Sequence, residues 1–296
     1  METSEKKTLV LCGGTQSSGS TLLSWCFLQR SDMDGVLDAD NDVLPAIDPS
    51  LAVPLAWYKT TICCFRLTEL ARHFQDDGWD VRPLLVLRDV RKVWASLSKK
   101  RYARNGITAE DPPMRLRMRR FQEDWRLFRE NDWPTLRYES LLIHPEAVLR
   151  RACEQLEIPW DDGMLHWDKS PDEVADVKHG NPSFHSTRGG GLQETLDGFR
   201  DRSSLDSIPS DDLTWLEAEF QEYNEANGYP VHIAAGTPDA APVSSAHVPQ
   251  RNQPKFESTR RYKWELRRVP FRWLFHCLGV RDHQWERRVA VKSSAK

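Results

Sequence analysis

A chain of 296 residues holds one large domain, or one domain with an appendage. Hydrophobic residues make up 39% and charged residues 29%, which excludes a low-hydrophobicity disordered chain, and no stretch approaches the ~20 apolar residues of a membrane-spanning helix. The net charge of −3 is uneven: residues 255–296 balance to +8 and residues 1–254 to −11, so the last forty-odd residues differ in kind from the acidic remainder, and no nucleic-acid partner is expected of the main body.

In chain order, residues 8–12 (TLVLC) form a short apolar run that ends in glycine, followed by a polar loop and a helical apolar pattern over 21–29. A second strand is expected at 83–87 (PLLVL), with a helix at 90–100 whose apolar positions Val90, Val93, Trp94 and Leu97 share one face. An apolar helix is expected over 62–74. A third strand is read at 136–138, and further helices at 115–129, 145–156 and 211–227. Strands alternating with helices predict an α/β fold with a central parallel sheet, whose ligands bind beyond the C-terminal strand ends. Residues 234–254, rich in Ala, Pro and Ser, read as a linker between a main domain at 1–233 and a basic aromatic extension at 255–296.

The first loop carries the strongest chemical signal. Gly14 to Thr21 (GTQSSGST) has the outline G-x4-G-x-[ST] between a strand and a helix, where backbone N–H groups and the helix N-terminus surround a phosphate. Ser20 stands where a nucleotide triphosphatase has its lysine, which counts against ATP or GTP hydrolysis. At the end of the second strand, Arg88 precedes a helix that carries Ser96 about two turns on, so a cation and a hydroxyl can meet one anion.

These two segments, SSGST at 17–21 and RDVRKVWAS at 88–96, resemble the superfamily of sulfotransferases that use 3′-phosphoadenosine 5′-phosphosulfate (PAPS). The resemblance extends over about residues 8–230, through RYESL at 137–141 with His144-Pro145-Glu146 and through STRGGG at 186–191. It implies a three-layer P-loop-like α/β fold with a C-terminal extension. It further implies transfer of a sulfuryl group from PAPS to a hydroxyl or amine of a carbohydrate, glycolipid or small-molecule acceptor, leaving adenosine 3′,5′-bisphosphate, with no metal. Thr15, Gln16, Ser17, Ser18, Gly19, Ser20 and Thr21 would hold the 5′-phosphosulfate, Arg88 and Ser96 the 3′-phosphate, Tyr138 the adenine, and Arg188, Gly189 and Gly190 would close over the 3′-phosphate.

One position departs from the pattern. Many relatives carry Lys or Arg at the place of Ser17, so another cation must act on the leaving phosphate; Lys59, expected just before the helix at 62–74, resembles the family's active-site lysine, and Arg188 is a second candidate. The acidic run Asp38-Ala39-Asp40-Asn41-Asp42 lies where the resemblance places a carboxylate base, with Asp40 first and Asp38 second, ahead of Asp42, His166 and His185. Two other readings use the same residues: a P-loop small-molecule kinase, which explains only the first loop, and a nucleotide-binding protein of this fold that has lost catalysis, which draws on Ser17.

The six cysteines show no CxxC spacing and mostly sit in apolar stretches, as buried reduced thiols do. That and a start without a cleavage-like region point to the cytoplasm. Trp57, Trp160 and Trp167 are read as loop residues able to stack on an acceptor. The basic extension, which interleaves Arg260, Arg261, Lys263, Arg267, Arg268 and Arg272 with aromatic residues, suits a membrane surface, the acidic main domain or a second copy of the chain.

Overall fold

The computed structural model describes residues 7–39, 41, 53–63, 65–98, 114–174, 191–197 and 205–230. Five parallel strands form one sheet in the order β2-β3-β1-β4-β5: β1 (Thr8–Gly14), β2 (Met33–Ala39), β3 (Leu55–Thr61), β4 (Asp80–Leu87) and β5 (Thr135–Arg137). The helices between them are α1 (Ser20–Leu28), α2 (Leu67–Asp76), α3 (Val90–Ser98) and α4 (Met114–Glu130). After β5 come α5 (Tyr138–Ile143), α6 (Pro145–Gln155), three short helices α7 (Gly163–His166), α8 (Pro171–Val174) and α9 (Gly191–Asp197), and, last among the described residues, the pair α10 (Ser210–Glu219) and α11 (Gln221–Ala226).

The three layers follow from the side-chain alternation of strands buried on both faces. Leu9 and Leu11 of β1, Tyr58 of β3 and Leu85 and Leu87 of β4 point into one core, which α2, α3, α4, α10 and α11 cover. Val10, Cys12, Trp57, Leu84 and Val86 point into the other, covered by α1, α5 and α6. Helix α1 is buried on eight of its nine residues, as its continuous apolar sequence requires. Helix α2 is amphipathic and buries Leu67, Leu70, Ala71 and Phe74, an i, i+3, i+4, i+7 stripe. Asp124 of α4 reaches across to the start of α2, accepting from the amides of Leu67 (2.6 Å) and Thr68 (3.2 Å) and the Thr68 hydroxyl (2.8 Å), and so caps it from another element.

The sheet differs from the sequence-based expectation in particular places. Residues 33–39 form an edge strand that was not anticipated, because its MDGVLDA pattern has no clean period. Residues 55–61 are a strand and not the approach to a helix; the helix expected from residue 62 begins at Leu67. Tyr138, expected at a strand end, is the first residue of α5. The helix expected over 211–227 is two helices, broken at Phe220 (φ −108°, ψ 19°). Trp57 and Trp167 are core residues: Trp57 stacks on Phe27 (ring centroids 4.5 Å apart) and Trp167 packs edge-on to Trp25.

Cys12, Cys26 and Cys153 are buried free thiols and Cys63 is half-buried. Burial pushes the Cys12 and Cys26 thiols up to about 12 and Cys153 to about 11, so all three stay protonated and inert. No helix of the described residues is long and apolar enough to cross a membrane. The linker at 234–254 and the extension at 255–296 lie outside the described residues.

Candidate active site

Strand β1 is central, flanked by β3 on one side and β4 on the other, so the chain leaves it at the point where the sheet's connections diverge and a crevice opens at the strand ends. The register sets what stands around the crevice. Gly14 pairs with Thr61 of β3 and Val86 of β4, so Arg88 sits two residues beyond the level of Gly14, while Lys59, opposite Cys12, sits two residues below it.

The loop from Thr15 to Gly19 turns tightly. The Ser18 amide donates to the Thr15 carbonyl (3.1 Å), Ser17 adopts a left-handed φ of 66°, and Gly19, at φ 88°, is the N-cap of α1. Two glycines make the turn possible. A Cβ on Gly14 would lie 2.7 Å from the Ser18 hydroxyl, and one on Gly19 would strike the Tyr138 ring at 2.1 Å. No side chain caps α1, and no acidic residue stands in its first turn. The Ser18 hydroxyl is fully buried in the turn without a hydrogen-bond partner, and the buried Gln16 Oε1 is likewise unpaired. An uncapped helix N-terminus that follows a tight turn at the strand ends is the arrangement that a phosphate or sulfate group satisfies.

Arg88 closes one side of this loop. Its Nη1 donates to the Ser17 carbonyl at 2.6 Å, and its guanidinium lies 4.6 Å above the Tyr138 ring. Tyr138, 5% exposed, is thereby held between the Gly19 backbone and Arg88. Asp89, next along, is committed elsewhere: its carboxylate accepts from the Arg91 amide (3.0 Å) and pairs with the Arg91 guanidinium (2.8 Å), which starts α3 and neutralises the acid. Ser96 lies half-buried on α3.

On the other side, Lys59 and Asp38 meet. Lys59 Nζ is 2.7 Å from Asp38 Oδ1 and 3.5 Å from the hydroxyl of Thr21 in the first turn of α1. The lysine side chain is 2% exposed and the aspartate 33%, so the acid is the member of the pair that meets solvent. This is a buried, committed ammonium and not a solvent-directed surface lysine. Asp40 lies outside the described residues, but both of its chain neighbours are anchored: the Thr60 hydroxyl donates to the Ala39 carbonyl (3.1 Å), and Asn41 Oδ1 accepts from the Phe65 amide (2.6 Å). Arg188, Gly189 and Gly190 also lie outside the described residues.

Of the residues singled out in the sequence, the structure thus brings Thr15–Thr21, Arg88, Tyr138, Lys59 and Asp38 to one end of the sheet. Arg88 also reaches the loop that lacks its own cation, which its position in the sequence did not announce. Glu139, read only as part of RYESL, turns out to bond the Asp89 amide at 3.0 Å.

No protein-family profile matches the chain. One short stretch of 29 residues, 10% of this chain and 8% of the other protein, is 62% identical to protein-tyrosine sulfotransferase A of Caenorhabditis elegans. Among solved structures, the sulfotransferase domain from the curacin biosynthetic pathway superposes with a TM-score of 0.54 at 15% identity, covering 77% of this chain and all of that one. The sulfotransferase domain of the Synechococcus olefin synthase gives 0.49 at 16% identity, over 78% of this chain and 98% of that one. A mouse sulfotransferase complexed with PAP gives 0.43 at 10% identity, over 75% of this chain and 86% of that one. A parallel five-stranded sheet in this order, with the phosphate-type loop after its central strand, is the P-loop-like α/β fold of the curacin-pathway sulfotransferase domain.

Proposed function

We propose that the protein is a sulfotransferase that moves a sulfuryl group from PAPS to a hydroxyl or amine of a small-molecule or glycan acceptor. The observation that carries this reading is the loop itself: a tight turn at an uncapped helix N-terminus, with Arg88 on one side and Lys59 on the other. Among the described residues, two acids beside the loop are each paired with a cation, Asp89 with Arg91 and Asp38 with Lys59.

In this reading the loop amides and the Ser18, Ser20 and Thr21 hydroxyls hold the 5′-phosphosulfate, and Arg88 with Ser96 holds the 3′-phosphate. Tyr138 forms the floor on the adenine side, and the segment of Arg188, Gly189 and Gly190 completes the 3′-phosphate site. The acceptor oxygen attacks sulfur as the bond from sulfur to the 5′-phosphate oxygen breaks, releasing adenosine 3′,5′-bisphosphate. Lys59, beside the Thr21 hydroxyl and fixed by Asp38, supplies a standing positive charge for the negative charge that develops on the leaving oxygen. Asp40 takes the acceptor's proton, and Asp38 fixes the lysine. We place the protein in the cytoplasm, where cysteines such as Cys12, Cys26 and Cys153, free of disulfides here, stay reduced.

Calorimetric titration with adenosine 3′,5′-bisphosphate, adenosine 5′-monophosphate and ATP tests the donor, and transfer of label from radioactive PAPS to a panel of hydroxylated acceptors tests the reaction. Selective binding of the bisphosphate is expected. Preference for ATP would overturn the assignment, and bisphosphate binding without any transfer across the panel would favour a binding protein.

A further inference from the structure

The turn from β4 into α3 consists of two residues, Arg88 and Asp89, and the peptide unit between them is gripped on both sides. The Tyr223 hydroxyl, from α11, donates to the Arg88 carbonyl at 3.0 Å. The Asp89 amide, on the opposite edge of the same peptide plane, donates to Glu139 Oε1 of α5 at 3.0 Å. The two grips are joined, because the Tyr229 hydroxyl donates to Glu139 Oε2 (3.0 Å) while the Tyr229 ring stacks on the Tyr223 ring at 5.7 Å and 23°. Arg137 lies over the Tyr229 ring at 4.9 Å.

Such an arrangement costs the chain a good deal to assemble. Tyr223 is fully buried among Phe121, Trp125 and Phe220, which meet its ring edge-on, so the direction of its hydroxyl is set by packing. A half-turn of the Arg88–Asp89 peptide would set a carbonyl oxygen against the Glu139 carboxylate and lose both hydrogen bonds, so one orientation is enforced. The contacts span 135 residues of sequence from Tyr223 to Arg88 and 90 from Tyr229 to Glu139, and they converge on the one backbone unit from which the Arg88 side chain leaves the sheet.

We propose that Tyr223, Glu139 and Tyr229 are positioning residues for donor recognition: they lock the Arg88–Asp89 peptide so that the Arg88 guanidinium is pre-set toward the nucleotide's 3′-phosphate. The inference rests on the reading of Arg88 as a ligand of that phosphate. It makes helix α11 and Tyr229 part of the donor site without touching the donor, and their effect falls on discrimination between nucleotides with and without a 3′-phosphate.

The test uses the full chain and measures, by calorimetry, the ratio of affinities for adenosine 3′,5′-bisphosphate and adenosine 5′-monophosphate. Arg88→Ala is expected to lower the ratio by about 10–100-fold, the range of a lost charge-assisted hydrogen bond. Tyr223→Phe and Tyr229→Phe, which keep the rings and remove only the hydroxyls, are expected to lower it by about 3–10-fold, each with monophosphate affinity retained, and to have no further effect in the Arg88→Ala background. If the Tyr223 variant does not fold, the less buried Tyr229 variant decides. A ratio that Arg88→Ala leaves unchanged overturns the reading of Arg88 and the inference with it. A ratio that Arg88→Ala lowers but the tyrosine variants leave unchanged, or equal losses for both nucleotides, overturns the clamp alone.

Discussion

The Arg88 guanidinium bonds the carbonyl of Ser17 at 2.6 Å, joining the end of β4 to a loop 71 residues earlier in the chain. Ser17 holds a left-handed backbone conformation that costs a non-glycine residue roughly 1 kcal/mol or more. The arginine therefore does two things at once: it braces a strained turn through the backbone and brings positive charge to a loop without a basic side chain.

Arg88→Lys should separate these duties. A lysine retains the charge but lacks the planar fork that can hold the Ser17 carbonyl while donating to a second oxygen. Affinity for adenosine 3′,5′-bisphosphate is expected to fall by about tenfold, equivalent to roughly 1.4 kcal/mol, and calorimetry beside the wild type measures it. Unchanged affinity would show that the two-sided donation is unimportant.

Gly19→Ala should disable the loop. The new Cβ would meet the Tyr138 ring at 2.1 Å, and the φ of 88° disfavours any side chain. Destabilisation by more than about 2 kcal/mol and loss of nucleotide binding are expected, read from urea unfolding and calorimetry. Combining it with Tyr138→Leu should recover part of the stability, since the clash is relieved while the backbone strain remains.

Lys59→Met and Asp40→Ala should separate binding from turnover. Each is expected to keep bisphosphate affinity within a few-fold and to lower kcat, Lys59→Met by about 10²–10³ and Asp40→Ala by about 10²–10⁴. Asp38→Asn, which loosens the 2.7 Å hold on Lys59, should lower kcat less than removal of the lysine. Single-turnover transfer from labelled PAPS measures all three. Full activity of Asp40→Ala would move the base to Asp38, Asp42, His166 or His185.

Asp124 gives the fold a pH dependence of predictable sign. Burial pushes its carboxyl up from 3.8 to about 6, outweighing the Leu67 and Thr68 donors and Arg66 that favour the charged form. A carboxyl whose folded pKa is raised binds its proton more tightly in the native state, so its contribution is full below about pH 4 and is lost as pH rises through 6, by on the order of 3 kcal/mol. The stability advantage of the wild type over Asp124→Asn should therefore shrink from pH 4.5 to 7.5, as about four urea unfolding curves across that range would show. A constant difference would place the native pKa near its ordinary value.

What the sequence determined by itself is local. A strand, a Gly/Ser loop and a helix are contiguous in residues 8–28, and a strand, an arginine and a helix are contiguous in residues 80–98, so hydrophobic period and turn chemistry reveal both units and the class of fold. Only the tertiary structure decided which groups meet. Residues 55–61 hide as a strand because an interior strand buried on both faces needs no alternation, and because its buried lysine is paired with Asp38, 21 residues away on the neighbouring strand. Placing β1 between β3 and β4 sets Lys59 and Arg88 on opposite sides of one loop, and packing α11 against α4 carries Tyr223 back to the Arg88 carbonyl. Such contacts join residues that no sequence period relates, since they depend on the order of strands in the sheet and not on the order of residues in the chain.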